Sequence, residues 1–367
     1  MCRLKWVLLV ILAAFPVLRE NHLQAASSGQ IDNVRKKSVL NDLDKTIIDD
    51  FIRKSIEALL NEKDFTNIAR HRNAIAGRKD NSQVQYVNQF KESTVTHITK
   101  AFETARNIKQ DRDRSFVITS LLILINKLDN VQFAVIAKNM IDDENAIVKY
   151  WAVKCLANPE IIQQLNSGLA PNPGLPKEIT AKLISIVPRS SPEILSMMAQ
   201  YAAAINIPSG QELMLKIADQ RIADYADWSV KQEYTEIIIL ESLENIISEP
   251  EENTNVPALA QRFAQLYSYV IQRYIKAEDI LEQKQKNQLA TVIIEIEDKS
   301  IRKMVGTQQN IKKAIEKKQL DELLIEHDNL LGSNAIQGKL PTKYKFNYGT
   351  DESGSIRTAP LTLPNTK

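Results

Sequence analysis

Residues Asp142–Leu156 read DDENAIVKYWAVKCL, and this stretch decides the fold. Its acidic start reads as a turn, with Asp143 placed to cap a helix. Val148, Ala152, Cys155 and Leu156 then recur at offsets 0, 4, 7 and 8, which builds one apolar stripe along an α-helix. A helix-turn-helix unit carrying such a stripe cannot bury it alone. The stretch therefore predicts a stack of similar helix pairs.

Working outward, the chain keeps this character. Its 367 residues include only ten Gly and thirteen Pro, too few for a turn-rich β fold. Asp111 precedes Phe116, Ser120 and Leu124 at offsets 5, 9 and 13; Asp143 precedes Val148, Ala152 and Leu156 at the same offsets. Ser190 precedes Leu195, Ala199 and Ala203 likewise, and a fainter echo sets Val230, Tyr234 and Ile238 after Asp227. An earlier stripe, Val39, Leu43, Ile47, Phe51, Ile56 and Leu59, predicts a helix from about Ser38. Val84, Val87, Phe90, Val95, Ile98 and Phe102 predict another over 82–108. The segment NSGLAPNPGLP, Asn166–Pro176, interrupts the series as a loop.

These units resemble HEAT-type (HEAT-like or armadillo-like) helical repeats, whose second helix carries an Asp, a Val followed by Arg or Lys, an Ala and a Leu. Asp143, Val148, Lys149, Ala152 and Leu156 match each position. The neighbouring units keep the apolar positions and have Val117 and Ser196 where the basic residue would stand. The resemblance covers roughly residues 82–250. It implies an all-α fold, a right-handed α-solenoid of stacked antiparallel helix pairs with irregular helical caps, and an inner face suited to binding another macromolecule.

The expected organisation is a signal peptide over 1–26, an N-terminal helical cap over 27–110, HEAT-like repeats over 111–250, C-terminal helices over 251–332 and a flexible tail over 333–367. Arg3 and Lys5, the apolar run Trp6–Leu18 and the small residues Ala25 and Ala26 form the three-part layout of an export signal. The run is too short for a stable membrane span, and the expected location is the periplasm, the cell envelope or the medium of a bacterial cell. Arg3, Lys5, Arg19 and Glu20 leave with that segment, so the formal charge falls from +2 to zero. A neutral chain argues against nucleic acid as the main partner, since that affinity comes from a basic face that neutralises phosphates. Cys155 is then the sole cysteine, which forbids an internal disulfide, and its place on the stripe makes it a core residue.

Chemistry is sparse. His71, His97 and His327 lie far apart, and no HExxH, CxxC, GxSxG or phosphate-binding glycine pattern occurs. Acidic pairs such as Asp111/Asp113 and Asp142/Asp143 sit where helix starts already favour carboxylates. No catalytic residue, cofactor or metal site is expected. The sequence points to a non-enzymatic scaffold that binds a protein partner. The alternatives are an envelope enzyme or its accessory subunit, and a glycan-binding module in which Tyr225, Trp228 and Tyr234 stack on a sugar.

Overall fold

The computed structural model describes residues 29–276, 281–307 and 309–365. The predicted export signal lies outside them. Regular structure among the described residues is helical, apart from one isolated bridge between Thr350 and Ile356. None of these helices is long and apolar enough to cross a membrane. The chain divides into two compact units, one holding residues up to Ile136 with Asp143–Trp151, the other Ala137–Asp142 with Ala152 onward.

In the first unit a short helix α1 (29–34) precedes α2 (Asp42–Asn61), which packs on α3 (Phe65–Ala76) and α4 (Val84–Arg106); α5 (Asp111–Leu128) packs on α3 and α4. The start of α2 is a capping box. The Asp44 amide donates to the Asn41 side chain at 2.9 Å, and the Asn41 amide donates to the Asp44 carboxylate at 3.2 Å. This box buries Asp44 and fixes the rotation of the helix. Ile48, Ile52, Ile56 and Leu59 face the core, whereas Val39 and Leu43, placed on the stripe by periodicity alone, turn outward. His71, which reads from sequence as part of a solvated basic turn, lies on α3 and is buried, and burial lowers its pKa.

Between the units in sequence come α6 (Ala134–Asn139) and α7 (Ala146–Leu156). The opening stripe is core: Val148, Ala152, Cys155 and Leu156 are all buried. Its cap lies two residues later than expected. The Asn145 side chain accepts from the amides of Ile147 (2.9 Å) and Val148 (3.3 Å), while Asp143 accepts only from the Asn145 amide (2.8 Å). The equivalent positions Ser120, Leu124, Leu195 and Ala199 are also buried. The fourth echo fails, because Trp228 (φ 56°) and Gln232 (φ 57°) adopt left-handed backbone and leave Val230 and Tyr234 ahead of the next helix.

The second unit continues with α8 (Pro159–Asn166), α9 (Leu175–Ile186), α10 (Pro192–Ala204), α11 (Pro208–Ala226), α12 (Thr235–Ser248), α13 (Val256–Lys276) and α14 (Gln283–Ile296). A π-helical turn, Glu297–Ile301, leads to α15 (Arg302–Val305), and α16 (Asn310–Glu316), α17 (Leu320–Leu331) and α18 (Lys339–Tyr344) follow. Helices α10 and α12 pack together, as do α11 and α13, and each also packs on its sequence neighbour. At the centre is α13, which touches α11, α12, α14, α17 and α18.

Residues 333–365 are not the flexible tail that their composition suggests. They contain α18, and Leu340, Phe346, Tyr348 and Leu363 are buried. The Tyr348 hydroxyl donates to the Leu331 carbonyl at 2.7 Å, and the Thr358 hydroxyl donates to the Ser333 carbonyl at 2.8 Å. Few apolar residues suffice here because the segment lies against an existing surface and spends its polar groups on it. Three backbones meet closely at Gly332, Gly338 and Thr358. A Cβ on Gly338 would lie 2.3 Å from the Gly332 nitrogen and 2.4 Å from the Leu331 carbonyl carbon, both immovable backbone.

Gly338→Ala should therefore lower stability by about 1–3 kcal/mol, the usual cost of overpacking, and raise amide exchange over residues 358–364 first. Equal exchange in both proteins would show that the crossing does not hold the segment. For His71 the sign is set by burial. The folded state disfavours the imidazolium, so the unfolded state binds more protons as the pH falls below the ordinary value of 6.5, and stability drops with it. Thermal melts of His71→Gln should lose part of that fall between neutral and mildly acidic pH.

Candidate functional site

The second unit buries an unusual quantity of charge around the end of α11. Arg221, 1% exposed, sends Nε to Glu236 Oε2 at 3.1 Å and closes a second contact to Oε1. Its Nη1 reaches Asp224 at 2.9 Å and its Nη2 reaches the Lys231 carbonyl at 3.3 Å. Burial alone would lower its pKa, but Glu236 outweighs that and drives it upward, so the guanidinium is a fixed cation. Burial raises Glu236 in turn, and the contact with Arg221 opposes the rise.

A second buried arginine, Arg273 on α13, comes within 3.5 Å of Glu233, also buried. Its guanidinium lies 6.0 Å from the Tyr225 ring centre and 5.2 Å from that of Trp228. Such aromatic faces stabilise a desolvated cation by up to about 2 kcal/mol. They are needed here, because Nε and Nη1 of Arg273 make no hydrogen bond.

The residues proposed from sequence as a sugar platform are thus divided. Tyr225 and Trp228 converge on Arg273, and Tyr234 stands apart, 46% exposed. Tyr225 is fully buried and offers no face to a glycan. Trp228 is only partly covered, yet its indole nitrogen already donates to the Pro364 carbonyl at 2.9 Å. The end of α11 sets this geometry. The Ser229 amide donates to the Asp224 carbonyl at 2.9 Å across a left-handed Trp228, a termination usually built on glycine. Holding a tryptophan there costs roughly 1–2 kcal/mol, and its reward is an indole turned toward α13 and residue 364.

Along α13 a polar stripe runs over Gln265, Ser268, Gln272 and Lys276, at offsets 0, 3, 7 and 11 on one helix face. Sequence reasoning passed over it because Phe263, Leu266, Tyr267, Val270 and Ile271 advertise the opposite, apolar face. The spacing of the four polar residues was the available signal. Ser268 Oγ lies 2.8 Å from His327 Nε2, whose Nδ1 lies 2.9 Å from Asp328. These are the contacts of a serine–histidine–aspartate relay, but Ser268 is wholly buried and receives a further hydrogen bond from Gln272 at 2.9 Å. The α13 amides around it are committed to the helix, so no donors remain for an oxyanion. The network ties α17 to α13.

Asp142 pairs with Lys182 (2.9 Å) and Arg189 (3.1 Å), and no group of three potential metal ligands occurs among the described residues. Compared with known proteins, the chain matches no family model, no curated protein and no solved structure.

Glu236→Gln should destabilise the second unit by about 3–5 kcal/mol, since it strands the Arg221 charge in a dry site. Urea denaturation measures this; a loss within about 0.5 kcal/mol, typical of surface changes, would mean that Asp224 alone carries the arginine.

Proposed function

We propose that the chain is an exported, non-enzymatic helical-repeat scaffold that binds a protein partner on its helix stack. One observation carries the reading: residues 361–364 are held against α13 as an extended peptide, by side chains that contact their main chain. Side chains that hold a main chain in this manner support a surface able to take up a segment of another protein. The packing of α10 on α12 and of α11 on α13 supports a stack of helix pairs, and the match of Asp143, Val148, Lys149, Ala152 and Leu156 supports HEAT-like units within it. The basic start and apolar run of residues 3–18 support export.

Two observations weigh against the other readings. The relay of Ser268, His327 and Asp328 is sealed from solvent at its serine, and the burial of Tyr225 removes one of three rings from a sugar platform. The test is affinity capture of the protein from its native envelope fraction, with cross-links mapped on both members. A scaffold should recover a partner in stable proportion, cross-linked to α8–α14. Recovery of nothing above background, or turnover of a hydrolase substrate that disappears in Ser268→Ala, would overturn the proposal.

A further inference from the structure

Residues 360–364, Pro-Leu-Thr-Leu-Pro, are held by side chains that contact their main chain. The Leu361 amide donates to Gln265 Oε1 at 2.7 Å, and the Leu361 carbonyl accepts from Gln265 Nε2 at 3.2 Å and Gln272 Nε2 at 3.0 Å. The Leu363 amide donates to Gln272 Oε1 at 2.6 Å, and the Leu363 carbonyl accepts from Lys276. Trp228 closes the row on the Pro364 carbonyl. Each glutamine presents a donor and an acceptor together, as a neighbouring strand would, so the contacts read main chain and not side-chain identity. Side-chain selection falls to two anchors. Pro360 and Leu363 are buried, while Leu361 and Thr362 between them are exposed. The two anchors three residues apart, with the main chain between them presented to Gln265 and Gln272, define the recognised segment.

We propose that the stripe of α13, with Trp228, is a binding site for an extended Pro-x-x-Leu segment of a partner protein, and that residues 360–364 are its tethered occupant. This rests on the scaffold reading and names the site and ligand class within it. A foreign segment is favoured over the same segment of a second copy by the length of free chain. Thr358 is fastened to Ser333 and lies against Gly332, so only Ala359 and Pro360, a span of roughly 10 Å, separate that anchor from the first main-chain contact at Leu361. To fill the site of another copy, the segment would have to release its Thr358 anchor or bring the two copies within that span, whereas a foreign segment needs neither. A partner segment must displace an occupant whose effective concentration is of millimolar order. Entry is thus restricted to ligands that carry both anchors.

The test uses the whole chain and a dye-labelled peptide copying Thr358–Asn365. In Leu363→Asp the internal segment loses its buried anchor, and the site should bind the peptide saturably, at least about tenfold more tightly than the wild type does against its tethered competitor. Adding Gln272→Ala should weaken that binding by about tenfold, and a peptide with Asp at the Leu363 position should not bind. A folded Leu363→Asp protein, with helicity unchanged, that binds no better than the wild type would overturn the proposal. So would a wild-type dimer that disappears in Leu363→Asp, since the occupant would then be a second copy. If Leu363→Asp fails to fold, a protease site inserted in the exposed turn between Ser353 and Gly354 replaces it. After cleavage, native mass spectrometry should show the released segment exchanging with heavy peptide, and retention without exchange would refute the site. Failure of peptide binding alongside successful partner capture would remove this site and leave the scaffold reading standing.

Discussion

On a helix surrounded by other helices each polar side chain left without a partner is costly, because a buried unsatisfied amide or hydroxyl costs about 1–3 kcal/mol. Helix α13 departs from the simple rule of apolar interiors along one face, where Gln265 and Ser268 are buried, Gln272 is half-buried and Lys276 reaches the surface. Much of the second unit can be understood as the means of satisfying those groups. His327 comes from α17 to Ser268, and residues 361–363 come to the two glutamines and the lysine. Gln272 joins the two solutions by donating to both Ser268 and Leu361. The positions of α17 and of the terminal segment are therefore coupled through one side chain.

The buried charges beside the stripe follow a different logic. A paired arginine and glutamate in a dry interior add little to stability compared with apolar residues of the same volume, but losing one member is expensive. Arg221 and Glu236 tie the end of α11 to the start of α12, and Arg273 holds the rings of Tyr225 and Trp228 over α13. Their contribution is geometric. They fix the loop that carries Trp228, and with it one end of the peptide-holding row.

Much of the helical architecture was legible in the sequence. Offsets of 0, 4 and 8 fell on buried positions of α5, α7 and α10, save Phe116 and Ala203, which are half-buried, because a helix makes the same demand wherever it is packed. Errors arose where a local hydrogen bond outweighed periodicity. The capping box at Asn41 and Asp44 set the rotation of α2, and left-handed Trp228 and Gln232 delayed the start of α12 to Thr235. The site was less legible for another reason. Its members come from residues 221–236, 265–276 and 361–364, and polar residues that recognise a main chain leave no apolar rhythm behind them. Composition misled most over residues 333–365. Segments poor in apolar residues are free only when no partner surface awaits their backbone, and α13 supplies one.

The distance along the chain between the stripe and its occupant has a consequence for synthesis. Leu361 follows Gln265 by 96 residues. At roughly 5–20 residues per second, α13 emerges from the ribosome several seconds before the segment that completes it. During that interval its glutamines and lysine are open to any extended chain nearby. A product that stops short of Leu361 would keep that opening permanently, and would present a gripping surface to chaperones and proteases as a visible mark of incomplete manufacture.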